Sequence, residues 1–436
     1  MKRIIHFISR GLMSGLLLLS CDSQNSITDP GSTHFIKFYG RDGDQTGVDM
    51  VVLPDGSAFL FGTTTPSPVT TGADQTSQWY LVKIDPKGAI LGEYQFGDIT
   101  LNETAIDIEL TLDNNLVLVG NSYKSPTDKN VFIKIVSFDG VELKSALVAL
   151  KNSSNLDTDE NVASVTVLSD GFIVAGSTSN VDLKPTGPNP PNSGDRQDAM
   201  HLRFNSDLTL VGSAWPKTSG FLSYDAAVKV MQVGASQFFI FGYTNRVVPG
   251  HLNADYNFWT SSIINSTLGP NISYGPTDDE KLSSVAIGPL STSFILSGIT
   301  YNQAGTSDIY VSRLKRNLDM LASDAVFQKP LSIILGLNVP VRTSIFTSAS
   351  NGFLVLANES STTSQNWLLT KINDELTPSW KLPIIFGGEG LDNIGVVKEL
   401  PDGRILMIGT MQTGKPESGE TKMTLIKVNN EGKLID

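Results

Sequence analysis

The residues of this chain that could do chemistry are mostly carboxylates. The chain has one cysteine, and its four histidines are not spaced as metal ligands are; they are His6, His34, His201 and His251. It contains no Gly-x-Ser-x-Gly nucleophile motif. Two carboxylates suffice for glycoside hydrolysis, but among 44 Asp and Glu residues no pair stands out. We therefore predict no catalytic residue, no metal site and no cofactor from motifs alone.

One group of carboxylates does follow a pattern, because its members open the same apolar strand in successive internal repeats. The group consists of Asp44, Glu103, Asp159, Glu160, Asp225, Asp279, Glu280 and Asp392. In a ring of repeats these side chains would collect at one rim of a central channel. They would then form an acidic binding mouth or a cation site. The alternative is that they cap turns by bonding to the nearby backbone.

The elements that position these carboxylates are repeated strands. A glycine, or once an alanine, ends an apolar run every 52 to 66 residues, at Gly62, Gly120, Gly176, Gly242, Gly298, Ala357 and Gly409. Hairpin signals such as Asp55-Gly56 and Asp402-Gly403 precede several of these runs, since Gly tolerates the positive φ of tight turns. An alternating strand follows each run. Seven copies of about four strands predict an all-β, seven-bladed β-propeller with four-stranded blades.

The two ends of the repeat region predict how the ring closes. The seventh copy, from Leu391 to Asp436, has three strands, and the chain from His34 to Gly40 (HFIKFYG) is a strand without a copy of its own. Pairing the two would complete the seventh blade and remove exposed sheet edges. We therefore predict a propeller spanning residues 34–436 whose last blade is closed by the N-terminal strand.

The repeats also resemble a known family. The segments LPDGSAFLFG with WYLVKIDPKGAILGEYQFG, and LPDGRILMIG with MTLIKVNNEGKLID, are similar to the delta-60 type of bacterial propeller repeat. The resemblance covers residues 34–436 and is strongest in the first and seventh copies. It implies a propeller fold, but it carries over no catalytic residue.

The N-terminus predicts export and a lipid anchor. Residues 1–20 combine basic residues with a short apolar run, and Leu18-Leu19-Ser20-Cys21 resembles the lipobox of bacterial lipoproteins. That resemblance implies acylation of Cys21 and attachment to the bacterial outer membrane, on its periplasmic side or at the cell surface. Residues 21–33 are polar and read as a flexible tether. An ordinary secretory signal that happens to contain a cysteine is the alternative.

Charge and loop lengths guide the functional prediction. The net charge of −12 disfavours nucleic acid, which needs basic surfaces. Long loops between second and third strands, such as 177–198 and 243–257, are suited to recognition of a protein or glycan partner. We predict a non-enzymatic, lipid-anchored binding or scaffold module of the cell envelope. The alternative is a propeller hydrolase or lyase acting on extracellular polysaccharide; a quinone-dependent dehydrogenase is disfavoured because the five Trp residues are scattered.

Overall fold

The computed structural model describes most of the propeller region. The described residues are 33–67, 76–180, 182, 197–221, 223–245, 256–274, 279–288, 293–301, 307–315, 325–326, 342–360, 364–413 and 419–435. The predicted signal peptide, Cys21 and nearly all of the tether lie outside them, as do most of the loops 177–198 and 243–257. Within the described residues, no helix is long and apolar enough to cross a membrane.

Every blade is an antiparallel sheet, and in the first three blades the strands follow one another in chain order. Blade 1 contains β2 (Asp44–Val52), β3 (Ala58–Thr65), β4 (Gln78–Ile84) and β5 (Ile90–Phe96). Blade 2 contains β6 (Asn102–Leu110), β7 (Leu116–Ser125), β8 (Asp128–Val136) and β9 (Glu142–Val148). Blade 3 contains β10 (Glu160–Leu168), β11 (Gly171–Thr178), β12 (Asp198–Asn205) and β13 (Thr218–Ser219).

The next three blades have the same order, with one local difference. Blade 4 contains β14 (Asp225–Gly234), β15 (Gln237–Thr244), β16 (Asn257–Ile264), β17 (Thr267–Leu268) and β18 (Ile272–Tyr274). Its β17 and β18 both pair with β16, so the outer position is split into two short pieces. Blade 5 contains β19 (Asp279–Ile287), β20 (Ser293–Tyr301), β21 (Ser307–Lys315) and β22 (Ala325–Val326). Blade 6 contains β23 (Thr343–Thr347), β24 (Phe353–Ser360), β25 (Gln365–Ile372) and β26 (Ile384–Phe386).

The seventh blade joins the two ends of the chain. It contains β27 (Asn393–Glu399), β28 (Ile405–Gln412), β29 (Thr421–Val428) and, outermost, β1 (Phe35–Tyr39). β1 pairs antiparallel with β29, from Phe35 opposite Lys427 to Tyr39 opposite Met423. The predicted closure by the N-terminal strand is therefore confirmed, as is the seven-bladed all-β fold.

The first strand of each blade is the innermost one. β2, β6, β10, β14, β19, β23 and β27 contact one another in that order, and β27 contacts β2 again. These strands line a central channel, and hydrophobic clusters fill the space between adjacent blades. The cluster between blades 7 and 1, for example, contains Tyr39, Met50, Leu60 and Leu425. We call the end at which the first strands begin the opening rim, and the other end the turn rim.

Candidate functional site

Three of the predicted acidic residues bond to the backbone of the preceding blade. Thr421 of blade 7 donates its N–H to Asp44 Oδ1 at 2.8 Å. Lys129 N–H donates to Asp159 Oδ1 at 3.1 Å, and Tyr256 N–H donates to Asp279 Oδ1 at 2.6 Å. Each bond links the start of one blade's inner strand to the third-strand region of the blade before it. These carboxylates therefore tie neighbouring blades together at the opening rim.

The other five predicted residues are buried at the same blade junctions. They are Glu103, Glu160, Asp225, Glu280 and Asp392. Their oxygens accept hydrogen bonds from nearby segments: Asp98 N–H to Glu103 at 3.2 Å, Phe221 N–H to Asp225 at 2.8 Å, and Thr300 Oγ1 to Glu280 at 2.9 Å. Glu160 accepts the Leu150 N–H and two threonine hydroxyls, and Asp392 accepts the Gln412 N–H.

Burial changes the proton affinity of these groups. Burial raises the pKa of Glu103 to about 7 and that of Glu160 to about 7, although the hydrogen bonds each accepts act in the opposite direction. Burial likewise raises the pKa of Asp392. A carboxyl group removed from water favours its neutral form. The protonation of Glu103, Glu160 and Asp392 is therefore coupled to the packing of the blade junctions in which they lie.

The structure distributes the eight carboxylates around the ring. Across the described part of the chain, no three His, Cys, Asp or Glu side chains are grouped closely enough to hold a metal ion. The eight residues are also not among the described residues that line the channel cavity. The hydrogen bonds described above for these eight carboxylates are those of blade junctions.

A cavity of about 420 Å³ lies in the central channel. Its described lining comes from the middle of the inner strands and from their ends toward the turn rim. Apolar residues such as Ile106, Val285 and Phe346 form part of this lining. The charged lining residues are Asp49, Asp107, Glu109, Lys229, Arg342 and Lys398. We call these six residues the channel cluster.

Short polar contacts join four residues of the channel cluster, on blades 1, 2 and 4, with the backbone of blade 3. The carboxyl groups of Asp49 and Asp107 lie within hydrogen-bonding reach of each other. Lys229 Nζ lies 3.5 Å from Asp107 Oδ2 and 3.2 Å from Glu109 Oε1. Lys229 also donates to the Val165 carbonyl at 2.7 Å, and the Val165 N–H donates to Asp107 Oδ2 at 2.8 Å. Asp49 and Asp107 are only 7% and 6% exposed, so this carboxyl pair lies largely out of water, whereas the Glu109 side chain is 40% exposed.

The two carboxyl groups differ in proton affinity. Burial raises the pKa of Asp49 well above its usual range, and the hydrogen bond to Asp107 adds to that rise, while Lys398 opposes it. Burial also acts on Asp107, but Lys229, the hydrogen bond from Asp49 and the Val165 N–H outweigh it and lower the pKa of Asp107. The Val165 N–H and Lys229 Nζ, which both lie against Asp107 Oδ2, favour the negative charge of the pair on Asp107. The charges of Asp107 and Glu109 raise the pKa of Lys229 despite its burial, so Lys229 stays protonated.

The sequence analysis missed the channel cluster, although a signal was present. An acidic residue interrupts an apolar inner strand in GVDMVV (47–52) and AIDIEL (105–110), and Lys229 does so in AVKVM (227–231). Such an interruption is unusual in a strand that packs between two others. Attention to these residues would have placed charge inside the channel.

Comparison with known proteins defines the class of fold. No family model matches this chain, and neither does any curated protein sequence. Among solved structures, an ulvan lyase bound to -[GlcA(1-4)Rha3S]- has a TM-score of 0.51 at 9% identity, covering 91% of this chain and 97% of that one. The propeller domain of the trilobed protease from Pyrococcus furiosus has a TM-score of 0.45 at 10% identity, covering 90% and 98%. NanB sialidase from Streptococcus pneumoniae has a TM-score of 0.43 at 11% identity, covering 91% and 70%.

These identities show the fold alone. The chain is a seven-bladed β-propeller, a fold that different proteins use for different activities. Polysaccharide-acting enzymes occur among the solved structures it resembles. Function must therefore be argued from the residues of the channel and the rims.

Proposed function

We propose that this propeller acts on an extracellular polysaccharide and hydrolyses its glycosidic bonds in the channel cavity. The observation that supports this proposal is the carboxyl pair of Asp49 and Asp107 beside Lys229. Groups with strongly perturbed pKa values in a cavity are candidates for functional sites. The ulvan lyase of similar fold also acts on a polysaccharide, which agrees with this substrate class.

The proposed roles follow from the proton affinities. Asp49, the member of the pair whose pKa is raised by burial, would donate its proton to the leaving oxygen as general acid. Glu109 is the more exposed carboxylate and forms an ion pair with Lys229 at 3.2 Å. It would orient the attacking water and take its proton as general base. Asp107 and Lys229 would hold these two groups in position.

Hydrolysis fits this cavity better than elimination does. A lyase needs a base that removes a proton from the sugar ring, and Lys229 is held protonated by its carboxylate neighbours. The described lining residues include no tyrosine or histidine that could take that role.

The test measures new reducing ends released from soluble polysaccharides by the wild-type chain and by Asp49→Asn. Asn has the shape of a protonated Asp but cannot donate the proton, so we expect a loss of about 10²–10⁴-fold in rate with little change in stability. Asp44→Asn is the matched control, because Asp44 lies outside the cavity lining and should leave the rate unchanged. Equal rates for wild type and Asp49→Asn would refute the assignment.

A second candidate function is binding without turnover, and one observation favours it. Asp107 and Lys229 are both bonded to the backbone of Val165, as charges with a purely structural role would be. In that case the chain would be a binding or scaffold module for a protein or glycan. Retention of polysaccharide without release of any reducing ends would support this candidate over hydrolysis.

The cellular location is also a proposal. We infer from the lipobox-like segment ending at Cys21 that the chain is a lipoprotein of the bacterial outer membrane, with delta-60-type repeats forming the propeller. A lipid anchor would hold the propeller where extracellular polysaccharide is encountered. Metabolic labelling with a fatty-acid analogue tests this directly.

A further inference from the structure

Half of the ten tyrosines of this chain lie together on the opening rim, away from the channel cluster. Each lies at or next to a strand end, and each is partly exposed. They are Tyr123 of blade 2, Tyr224, Tyr243 and Tyr256 of blade 4, and Tyr301 of blade 5. We call these five residues the tyrosine band.

The three tyrosines of blade 4 form the centre of the band. The rings of Tyr224 and Tyr243 are stacked, with centroids 6.3 Å apart and planes 20° apart. Tyr256 meets both edge to face, with centroid distances of 6.0 Å to Tyr224 and 5.8 Å to Tyr243. All three tyrosines are partly exposed.

The backbone of this centre is fixed by hydrogen bonds. Tyr224 N–H donates to Asn245 Oδ1 at 2.7 Å, and Asn245 N–H donates back to the Tyr224 carbonyl at 3.0 Å. The Trp259 indole donates to the Tyr243 carbonyl at 3.0 Å. The Tyr256 N–H donates to Asp279 Oδ1, and the Tyr256 carbonyl accepts the Glu280 N–H at 2.7 Å. The backbone that carries the three rings is therefore fixed before any ligand arrives, which lowers the entropic cost of binding.

Charged side chains extend the band on both sides. Lys281 Nζ lies 4.1 Å from the centroid of Tyr256 on the blade 5 side. On the blade 3 side, Lys129 Nζ lies 3.7 Å from Asp159 Oδ2 and 5.9 Å from the Tyr123 ring. Asp159 is close enough to Tyr224 for its charge to add to the effect of burial in raising the pKa of that tyrosine. Along the tyrosine band, aromatic rings therefore lie next to charged side chains that can donate or accept hydrogen bonds.

We propose that the tyrosine band is a carbohydrate-binding site that holds a neutral polysaccharide chain across blades 2 to 5. A sugar ring presents an apolar C–H face and a rim of hydroxyl groups. Tyrosine faces match the first, and the Lys129–Asp159 pair and Lys281 match the second. The net charge of −12 disfavours anionic polysaccharides at long range. This site is separate from the channel cavity and does not depend on hydrolysis there.

The experiment measures retardation of the full chain in native gels that contain laminarin or xylan as neutral probes and alginate as the anionic probe. We expect retardation by at least one neutral probe. Tyr256→Ala should weaken the apparent affinity by about tenfold, the scale of one aromatic residue truncated at a binding interface. Tyr256→Phe keeps the ring and should lose much less.

Two control variants separate this site from others. Tyr94→Ala removes a partly exposed tyrosine from the outer strand of blade 1, and it should bind as wild type does. Asp49→Asn should also bind normally, even if it abolishes hydrolysis, so failure of the proposed catalysis would not affect this result. The proposal is overturned if neither neutral probe retards the wild type. It is also overturned if Tyr256→Ala binds as tightly as Tyr94→Ala, or if only alginate binds.

Discussion

Removing a single phenyl ring from β1 should destabilise the whole propeller, because this strand closes the ring. Phe35 is 8% exposed and packs in the cluster that joins blades 7 and 1. Its ring contacts the turn at Gly88 of blade 1, and Lys427 lies over its face at 5.8 Å. Phe38, in the same strand, is 51% exposed. The pair Phe35→Ala and Phe38→Ala therefore changes the same residue type in the same strand and differs in burial.

The expected magnitude follows from burial. Replacing a core Phe with Ala costs about 3–5 kcal/mol, and we expect about 3 kcal/mol for Phe35 because it lies at the edge of its cluster. Unfolding entropy of about 2.1 cal/mol/K per residue makes this a shift of about 3–4 °C in Tm for a domain of this length. Phe38→Ala should stay within about 0.5 kcal/mol of wild type.

Deleting the strand extends the same reasoning. A chain that starts at residue 42 also loses buried Tyr39, whose hydroxyl donates to the Gly88 carbonyl at 3.0 Å. The loss of two buried aromatic residues and that hydrogen bond should cost about 7–11 kcal/mol. Thermal unfolding followed by circular dichroism measures all three changes. If Phe35→Ala and Phe38→Ala melt at the same temperature, or the shortened chain melts with wild type, the closure contributes no stability and the reasoning is wrong.

Three further outcomes are expected. The pKa of Glu160 is about 7 in the folded chain and about 4.3 in an unfolded one, so the contribution of Glu160 to stability should be lost as pH rises from about 4.5 to 7. In melts across that range, Glu160→Gln should therefore lose less stability with rising pH than wild type does. Gly97→Ala should lower the melting temperature, because Gly97 has φ +144° and an added Cβ would collide with the Glu103 carboxyl group. Gly212→Ala should leave the melting temperature unchanged, because the space at its Cβ position is open. Cys21→Ala should abolish labelling by a fatty-acid analogue and release the chain from membranes; labelling that persists would contradict the lipid anchor.

The fold could be predicted from sequence because its signals are local. Each second strand lies between two neighbouring blades and is buried on both faces, so segments such as β3 and β11 read as continuous apolar runs. Asp-Gly turns fix where these strands begin. The split of the seventh blade was visible because one copy had three strands and one strand had no copy.

The sequence shows where charged residues interrupt the apolar inner strands, but which of their side chains face the channel depends on strand register and could not be predicted. Each of the strands that carry Asp49, Asp107 and Lys229 has a bulge directly before that residue. An extra residue in a strand reverses which side chains face the channel. Without knowledge of these bulges, simple alternation along the inner strands assigns the wrong residues to the channel.

Equivalent positions in the seven blades distinguish acidic residues that serve the blade junctions from charged residues that the junctions do not require. At the position of Glu103, five of the seven blades carry a buried acidic residue, and blade 1 carries buried Gln45 instead. At the position that Asp107 occupies in blade 2, the residue type changes from blade to blade. Ser284 and Ser344 accept the next blade's backbone N–H at 3.2 and 3.3 Å, the contact that Asp107 makes with Val165. Since a serine suffices for that bond, the charge of Asp107 is not needed to hold the blades together. The charged side chains of blades 1, 2 and 4 that meet in the cavity are therefore the part of this propeller best explained by chemistry.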